Sequence, residues 1–388
     1  MSNAIAIENV SGPVGARRRA LLGVLLAACF APIVASHAHG ASRHAAPVPS
    51  AGQLAIRVND DRLTLAVADV PQVYLYGTID EDAPQRVGAL IRSGKIPRGS
   101  DIYLDSTSGS LGAGMALGRL FRAAALVTHL GKPRRKGEVG TAICVDACAY
   151  AYLGGLYRWA PTGSDRIGVS AHPTTAPSGG RPGQPLPASD DVAAYLKDMG
   201  IDPAVLAPPP GASSSATMWL SADRMLASGL ANNGKLPLVA KYEVLATGPY
   251  LTLDQVDRHG EHRMTIECKP GRVILTAINR VGAARAGDIV RRGTRSYFEL
   301  DRREILTQQS GGAEVASESV SMTRTYPPAR LDYIIYAPSV GAWVAGRTSA
   351  FRNGFTFELE PVRSTLKQYY EACWRAAPWP TTKEKTTG

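Results

Sequence analysis

One short segment of the sequence has the residue pattern of an enzyme's nucleophile turn. Residues 144–155 follow an apolar stretch that predicts a strand, and they open a small-residue stretch that predicts a helix. A sharp strand-to-helix turn lifts one side chain out and leaves a backbone N–H beside it, which is what acyl transfer needs. Asp146 stands where serine would be expected. The segment therefore indicates a hydrolase-like turn whose nucleophile has been replaced.

Asp146 has three interpretations from its residue type and position. It could cap the following helix, because aspartate is a favoured N-cap residue. It could be what remains of a site that has lost its serine chemistry. It could also act as a nucleophile, or as a general base for a water molecule beside His172. Three serines near the same turns, Ser108, Ser110 and Ser170, are alternative nucleophiles.

Two kinds of element must position these residues. From Leu54 to about Ala240, predicted strands and helices alternate, which favours an α/β fold with parallel strand pairing. Residues 101–105 predict a strand that runs into a small-residue turn at 106–110 and then a helix. The same strand–turn–helix order recurs at 141–155.

The sequence beyond about Tyr242 changes to two-residue alternation, which predicts a smaller, β-rich α+β domain. Its aromatic residues Trp343, Phe351, Phe355 and Phe357 are predicted to fill the core of that domain. The predicted elements are strands at 264–268, 272–278, 297–300, 315–322, 333–337 and 354–359 and a closing amphipathic helix at 362–374.

The α/β part resembles the Clp protease proteolytic subunit and the wider crotonase-like superfamily, in a divergent form found on exported bacterial proteins. The residues that carry the resemblance are 105–115, 144–148 with Gly154, Gly155 and Arg158, and 219–223 with 228–232. The resemblance implies a spiral of strand–strand–helix units. It also implies self-association, because Clp-type relatives form rings and trimers.

The resemblance implies a site made of a serine, a histidine, a carboxylate and two backbone N–H groups that hold an oxyanion. It places Asp146 at the serine position and the backbone N–H groups near Gly109 and Ala147 at the oxyanion positions. His172 is the candidate histidine, although a gap-free alignment places Ser170 there. These degenerate positions indicate a pseudoenzyme.

The carboxylate of that site has no counterpart in this sequence. The resemblance places it just before residues 218–220, yet no acidic residue occurs between Asp202 and Asp223. Serines 213–215 stand there instead. Two of the three catalytic positions are therefore changed.

The N-terminus predicts export to the periplasm or secretion. Residues 17–19 are arginines and precede the apolar run 20–35, which is followed by small residues suited to signal-peptide cleavage. Cys29 offers an alternative, a lipid anchor on a lipobox-like segment. The predicted organisation is a signal peptide at 1–40, a flexible lead-in at 41–53, the Clp/crotonase-like domain at 54–240, the β-rich domain at 241–379 and a disordered tail at 380–388. No transmembrane helix is expected after cleavage.

Four cysteines besides Cys29 suit an oxidising compartment. Cys268 and Cys373 lie on apolar faces that point at one core, which predicts a disulfide between them. Cys144 and Cys148 are close enough to form a second one. Without paired histidines at ligand spacing, the four do not predict zinc or another metal, and no cofactor is expected.

The net charge of +10 comes from 43 basic against 33 acidic residues. The arginines are scattered, and the one dense cluster, residues 132–136, has the composition of a solvated loop. No basic-aromatic interleaving indicates nucleic-acid binding, and no glycine-rich phosphate loop is present.

Three functions compete on these observations. The first is an exported protein that has lost serine-protease chemistry and binds a peptide or an envelope protein. The second is a working serine hydrolase or peptidase with a non-standard site. In the third, the β-rich domain binds a partner protein and the α/β domain serves as a platform for assembly.

Overall fold

The computed structural model describes residues 52–133, 140–170, 189–207, 216–305, 312–347 and 350–378, all within one compact unit. The predicted signal peptide, Cys29, His172 and the C-terminal segment 380–388 lie outside the described residues. No helix in the described ranges is long and apolar enough to cross a membrane.

The first half of the described chain alternates strands and helices. Its elements are β1 (Leu54–Asn59), α1 (Arg62–Ala68), β2 (Gln72–Ile79), α2 (Ala83–Arg92), β3 (Asp101–Gly109), α3 (Leu111–Ala123), β4 (Val127–Leu130), β5 (Ile143–Val145), α4 (Ala147–Leu153), β6 (Tyr157–Arg158), β7 (Arg166–Ser170), α5 (Ser189–Asp198), β8 (Thr217–Leu220) and α6 (Ala222–Ala227). A short 3-10 helix, Pro203–Leu206, follows α5.

Strand β3 is the branch point of the first sheet. One edge pairs with β2 in parallel, while the other pairs with β4 over Asp101 to Leu104 and with β5 at Ser106. The strand continues to Gly109, so the segment expected to be a turn from 106 is largely strand. β5 pairs in parallel with β7, which pairs antiparallel with β8. This branching brings the ends of β3, β5 and β7 side by side.

The second half of the described chain is β-rich. Its elements are β9 (Val239–Leu245), β10 (Gly248–Asp257), β11 (Gly260–Lys269), β12 (Arg272–Arg280), α7 (Ala283–Arg292), β13 (Arg295–Leu300), β14 (Arg303–Glu304), β15 (Glu314–Ala316), β16 (Ser319–Tyr326), α8 (Arg330–Tyr336), β17 (Ser339–Ala345), β18 (Arg352–Glu358) and α9 (Arg363–Ala376), with a 3-10 helix Glu360–Val362. Two antiparallel sheets form, in the orders β15-β16-β12-β11-β10-β9 and β14-β13-β17-β18. The expected fold class, an α/β part followed by a β-rich part, is confirmed.

Two of the predicted strands are wrong in detail. Residues 333–336 belong to helix α8, and Ala337 is the residue that ends it. The helix forms because Leu331, Ile334 and Ile335 are buried at the spacing of one helical face while Tyr333 faces solvent. Residues 315–322 are two strands, since Ser317 adopts a positive φ of 56° and turns the chain between β15 and β16.

Each half has its own hydrophobic core, and a disulfide joins elements of the second one. Cys268 on β11 bonds to Cys373 on α9, with their Cα atoms 5.6 Å apart. Phe355 and Phe357 are buried in this core, as predicted, whereas Trp343 and Phe351 are half-buried, and Phe351 packs against a separate small cluster beside α7. A second disulfide joins Cys144 and Cys148. The expectation of disulfides is therefore confirmed.

The two halves meet at a buried carboxylate. Asp101 on β3 is 4% exposed. Its carboxylate accepts hydrogen bonds from two guanidinium nitrogens of Arg258, which lies in the β10–β11 turn, at 2.7 and 2.8 Å. His129 on β4 lies 3.0 Å from the same carboxylate. Burial opposes ionisation of Asp101, but the hydrogen bonds from His129 and Arg258 outweigh it and lower its pKa.

A row of stacked rings crosses the strands beside this junction. Tyr74, Tyr103 and His129 stand on the neighbouring strands β2, β3 and β4, and Trp159 directly follows β6. Successive ring centroids along the row are 5.0, 4.8 and 5.0 Å apart. The guanidinium of Arg258 lies over the far ring, that of Trp159. The row and the ion pair together fix the second half against the first.

The start of β1 is held by the ion pair of Asp80 and Arg86, and we expect protonation of Asp80 at low pH to break it. Arg86 donates two hydrogen bonds to the Asp80 carboxylate, at 2.8 and 2.7 Å. The same carboxylate also accepts a hydrogen bond from the Leu54 N–H at 2.8 Å. The bonds from Arg86, more than that from Leu54, lower the pKa of Asp80 to about 2. A lowered pKa stabilises the fold fully above the unfolded-state pKa near 4, and that contribution is lost as pH falls towards 2.

Replacing Asp80 by asparagine should therefore lower the free energy of unfolding by about 1–2 kcal/mol at pH 6, a figure reduced for the partial exposure of Arg86. The difference from the wild type should shrink between pH 4 and pH 2. Urea titrations across this range measure it, and Asp82→Asn, an exposed carboxylate without a capping bond on the same turn, is the control. A difference that does not change with pH would contradict this assignment.

Candidate functional site

Asp146 lies on a sharp turn between β5 and α4. Its backbone has φ 49° and ψ −108°, a conformation that costs a non-glycine residue about 1–3 kcal/mol. The Asp146 N–H donates to the Gly168 carbonyl on β7, and its carbonyl accepts the Tyr150 N–H of α4. The turn is thus held on both sides, and it has the strand-to-helix geometry that the sequence indicated.

The Asp146 carboxylate is bound by Ser170, at the end of β7. One oxygen accepts the Ser170 N–H at 2.6 Å, and the other accepts the Ser170 hydroxyl at 2.8 Å. The same carboxylate makes no capping hydrogen bond to α4, so the interpretation of Asp146 as a helix cap is wrong. The reason is the backbone: with φ positive, the side chain points to β7 and not along the helix.

The turn is braced covalently and by close backbone packing. The disulfide between Cys144 and Cys148 spans it, with one cysteine two residues before Asp146 and the other two residues after. Gly114 of α3 packs against Ala147, where a Cβ atom on Gly114 would lie 2.2 Å from the Ala147 carbonyl oxygen. The position of Asp146 is therefore set by β7, α3 and the disulfide together.

The two backbone positions expected to hold an oxyanion lie at the ends of β3 and β5. Gly109 has φ 140°, and a Cβ atom there would lie 2.4 Å from the Ile79 carbonyl oxygen, so β2 leaves room for glycine only. Ala147 is the first residue of α4, and no described group accepts its N–H. Their role as oxyanion donors stays a prediction.

The three alternative serines have different partners. The Ser108 hydroxyl lies 3.0 Å from that of Thr78, and the Ser110 hydroxyl accepts the Ala113 N–H and caps α3. Only Ser170, of the three, contacts Asp146. Whether any of them approaches His172 stays a prediction, because His172 lies outside the described residues.

The surroundings of Asp146 favour neutral groups. Tyr150 on α4 is buried, and its burial, together with the negative charge of Asp146, raises the pKa of Tyr150 to about 12. Within the described ranges no group of three or more His, Cys, Asp or Glu side chains could hold a metal ion. Among the residues that the structure describes, this turn offers one carboxylate, one hydroxyl and backbone N–H groups.

No protein-family model and no curated protein matches the chain. Two solved structures that are similar to it are of the 1510-N membrane-bound stomatin-specific protease. A serine-to-alanine mutant has 16% sequence identity and a TM-score of 0.28, covering 41% of this chain and 75% of that one. A lysine-to-alanine mutant in complex with a substrate peptide has 15% identity and a TM-score of 0.27, covering 41% and 72%.

Proposed function

We propose that this chain is an exported cell-envelope protein with a Clp/crotonase-like scaffold that lacks serine-protease chemistry and acts by binding a peptide or an envelope protein. The observation that carries the proposal is the state of Asp146. It occupies the raised position of the turn, and Ser170 binds both of its carboxylate oxygens.

A carboxylate at this position opposes acyl transfer in two ways. It supplies no removable proton, so the step that activates a serine has no counterpart. It also places a negative charge where an oxyanion would develop, and two like charges 4 Å apart repel by about 4 kcal/mol at an effective dielectric of 20. That energy corresponds to roughly a thousandfold loss of rate.

The scaffold around Asp146 supports a binding role. The strained backbone persists although the serine is gone, and strain of this kind is maintained only where the surroundings impose it. The disulfides support export, since disulfides persist in oxidising compartments. The arginines at 17–19 and the apolar run after them support it independently.

The proposal predicts that the turn at Asp146 carries no activated nucleophile. The mature protein should not react with a fluorophosphonate probe and should not cleave casein, because the raised residue is an acceptor-only carboxylate. Labelling is read by gel fluorescence, with an active serine protease as the positive control. Probe labelling of the wild type that is lost in a His172→Ala variant would sink the proposal.

One contact favours a second candidate, a hydrolase that uses Ser170. Its hydroxyl donates to Asp146 at 2.8 Å, within the reach that a nucleophile and its base require. Ser170→Ala would then abolish any labelling, while Ser110→Ala, which removes only a helix cap, would keep it. Labelling of the wild type with this pattern would select the second candidate over the first.

A further inference from the structure

Strand β9 (Val239–Leu245) is an open edge of the larger sheet in the second half of the chain. It stands at the end of that sheet and, among the described strands, pairs with β10 alone, over seven residues and without a bulge. No described residue forms a backbone hydrogen bond with its other edge. The strand shares no residue with the turn at Asp146, so what it binds is independent of the proposed function.

The hydrogen bonds between β9 and β10 show which backbone groups remain open. The hairpin closes through the two-residue turn Ala246–Thr247, so the pair that flanks the turn, Leu245 and Gly248, is a hydrogen-bonded one. The next pair, Val244 and Pro249, is then of the non-hydrogen-bonded kind, and Pro249 fits there because it has no N–H to donate. The even-numbered residues of β9 therefore direct their N–H and C=O groups away from β10.

Ala240, Tyr242 and Val244 thus present a row of donors and acceptors along the open edge. A row of this kind is a template on which another strand can pair. Tyr242 is held from the core side, where its ring packs edge-on against Tyr369 of α9 at a centroid distance of 6.1 Å. The strand is therefore already in place for a partner.

The side chains of β9 add an apolar surface to this edge. Val239, Val244 and Leu245 are 59%, 71% and 44% exposed. Sheets protect their edges with short strands, prolines, bulges or charges. The edge strands β14 and β15 are two and three residues long, whereas β9 has seven residues and no proline. Its charges are Lys241 and Glu243, which pair with each other at 2.8 Å and cancel.

The sequence of β9 is complementary to itself when a second copy pairs antiparallel to it about Tyr242. Lys241 then faces Glu243 of the partner subunit, and Glu243 faces the partner's Lys241. On the same side of the sheet, Val239 faces the partner's Leu245. Even-numbered residues also face one another, so their open backbone groups meet and exchange hydrogen bonds.

Other registers of the same pairing are disfavoured. A slip of one residue sets even-numbered residues against odd-numbered ones, whose backbone groups point towards β10. A slip of two places Lys241 against the partner's Lys241, or Glu243 against the partner's Glu243, and like charges directly opposite destabilise a strand pair. Larger slips leave only the strand ends paired. The register about Tyr242 satisfies the backbone and the charges together.

We propose that β9 is the interface of a symmetric dimer, in which two copies of this chain join their larger sheets into one antiparallel sheet. The same strand serves both copies, which is the isologous arrangement of a two-fold dimer. A foreign extended peptide could use the backbone groups, but the charge pairing and the apolar pairing select a second β9. Because one strand pair buries less than a standard interface, we expect a dissociation constant of about 1–100 μM.

Sedimentation velocity on the full mature chain, from about 1 to about 300 μM, tests the proposal. The mean mass should rise from one chain to two over this range. Val244→Pro removes an N–H that β10 does not use, so it should abolish the dimer and leave urea unfolding at low concentration unchanged. A chain that stays monomeric throughout, including one that binds an extended peptide at this edge, would overturn the proposal.

Charge reversals identify the register. Lys241→Glu and Glu243→Lys each set like charges opposite each other at two places related by the two-fold axis, and each should weaken the dimer about tenfold or more at low salt. The double variant should restore the dimer, and a mixture of the two single variants should form the heterodimer. Both side chains are exposed, so the monomer should keep its stability.

Lys197→Glu is the matched control for these variants. Lys197 is exposed on α5 of the first half, and its replacement makes the same change in net charge as Lys241→Glu. The control should leave the dimer unchanged. A dimer that neither Lys241→Glu nor Val244→Pro weakens would lie on another surface and would contradict the interface.

Discussion

Replacing Arg158 by methionine should lower the free energy of unfolding by about 3–5 kcal/mol, the largest effect we expect of any single substitution. Arg158 is 6% exposed and has no carboxylate partner among the described residues. Its guanidinium donates instead to backbone carbonyls of Leu230, Gly229 and Gly155, at 2.8, 2.9 and 3.0 Å. Methionine fills a similar volume but leaves these carbonyls without donors.

Part of that loss is offset, because the buried charge is itself costly. Burial, and then the nearby charge of Arg122, lower the pKa of Arg158 to about 10, so it remains charged at neutral pH at some expense. Urea unfolding of the variant and the wild type measures the net change. Arg224→Met is the matched control, since Arg224 is exposed, makes one long bond to Val205, and should change stability by less than about 0.5 kcal/mol. Equal effects at the two positions would refute the role given to Arg158.

Replacing Gly114 by alanine should destabilise the protein by about 2–3 kcal/mol, although alanine favours helices. A Cβ atom there would lie 2.2 Å from the Ala147 carbonyl oxygen, and that atom is backbone and cannot turn aside. Helix α4 must move away from α3, which shifts the turn that holds Asp146. Urea unfolding gives the stability.

Gly112→Ala is the control for this prediction. Gly112 lies on the same helix two residues earlier, and a Cβ atom there meets only the Ser110 hydroxyl at 3.7 Å, an ordinary contact. Alanine at 112 should be neutral or stabilising by up to about 1 kcal/mol. Equal free energies of unfolding for Gly114→Ala and Gly112→Ala would show that the close packing of α3 on α4 does not constrain the turn.

The turn at Asp146 could be predicted from the sequence because its signal is local. An apolar strand, one polar residue and a small-residue helix occupy a dozen consecutive positions. The partner of Asp146 could be predicted only in part. The sequence makes Ser170 a candidate nucleophile because it lies near the same turns, but its hydrogen bonds to Asp146 depend on β5 and β7 being neighbours, which is a property of the fold.

Helix α8 shows why composition can mislead. Tyr333 to Tyr336 are aromatic and β-branched residues that favour strands, yet Leu331, Ile334 and Ile335, spaced three and four apart, pack as one helical face. In so short a segment the sequence pattern does not distinguish the helical repeat of 3.6 residues from the strand repeat of two, and the tertiary contacts decide which one forms. Closing helix α9 was predicted correctly because its apolar stripe runs over more than three turns.

The second half also contains a cavity of about 240 Å³, which could not be predicted at all. Its residues come from five strands, β10, β11, β12, β17 and β18, together with a turn and a helix, and they are spread over about a hundred positions, so no spacing in the sequence brings them together. Trp343 illustrates the difficulty: its residue type predicts core, and only the neighbouring strands decide that its N–H is left without a partner.

The stacked row that ends at Trp159 places a fluorescent side chain at the junction between the two halves. Trp159 has His129 on one side and the Arg258 guanidinium of the other half 5.8 Å from its ring. Its fluorescence therefore depends on whether Arg258 is in place. Once the other four tryptophans are replaced by phenylalanine, Trp159 reports without any attached dye whether the two halves are docked.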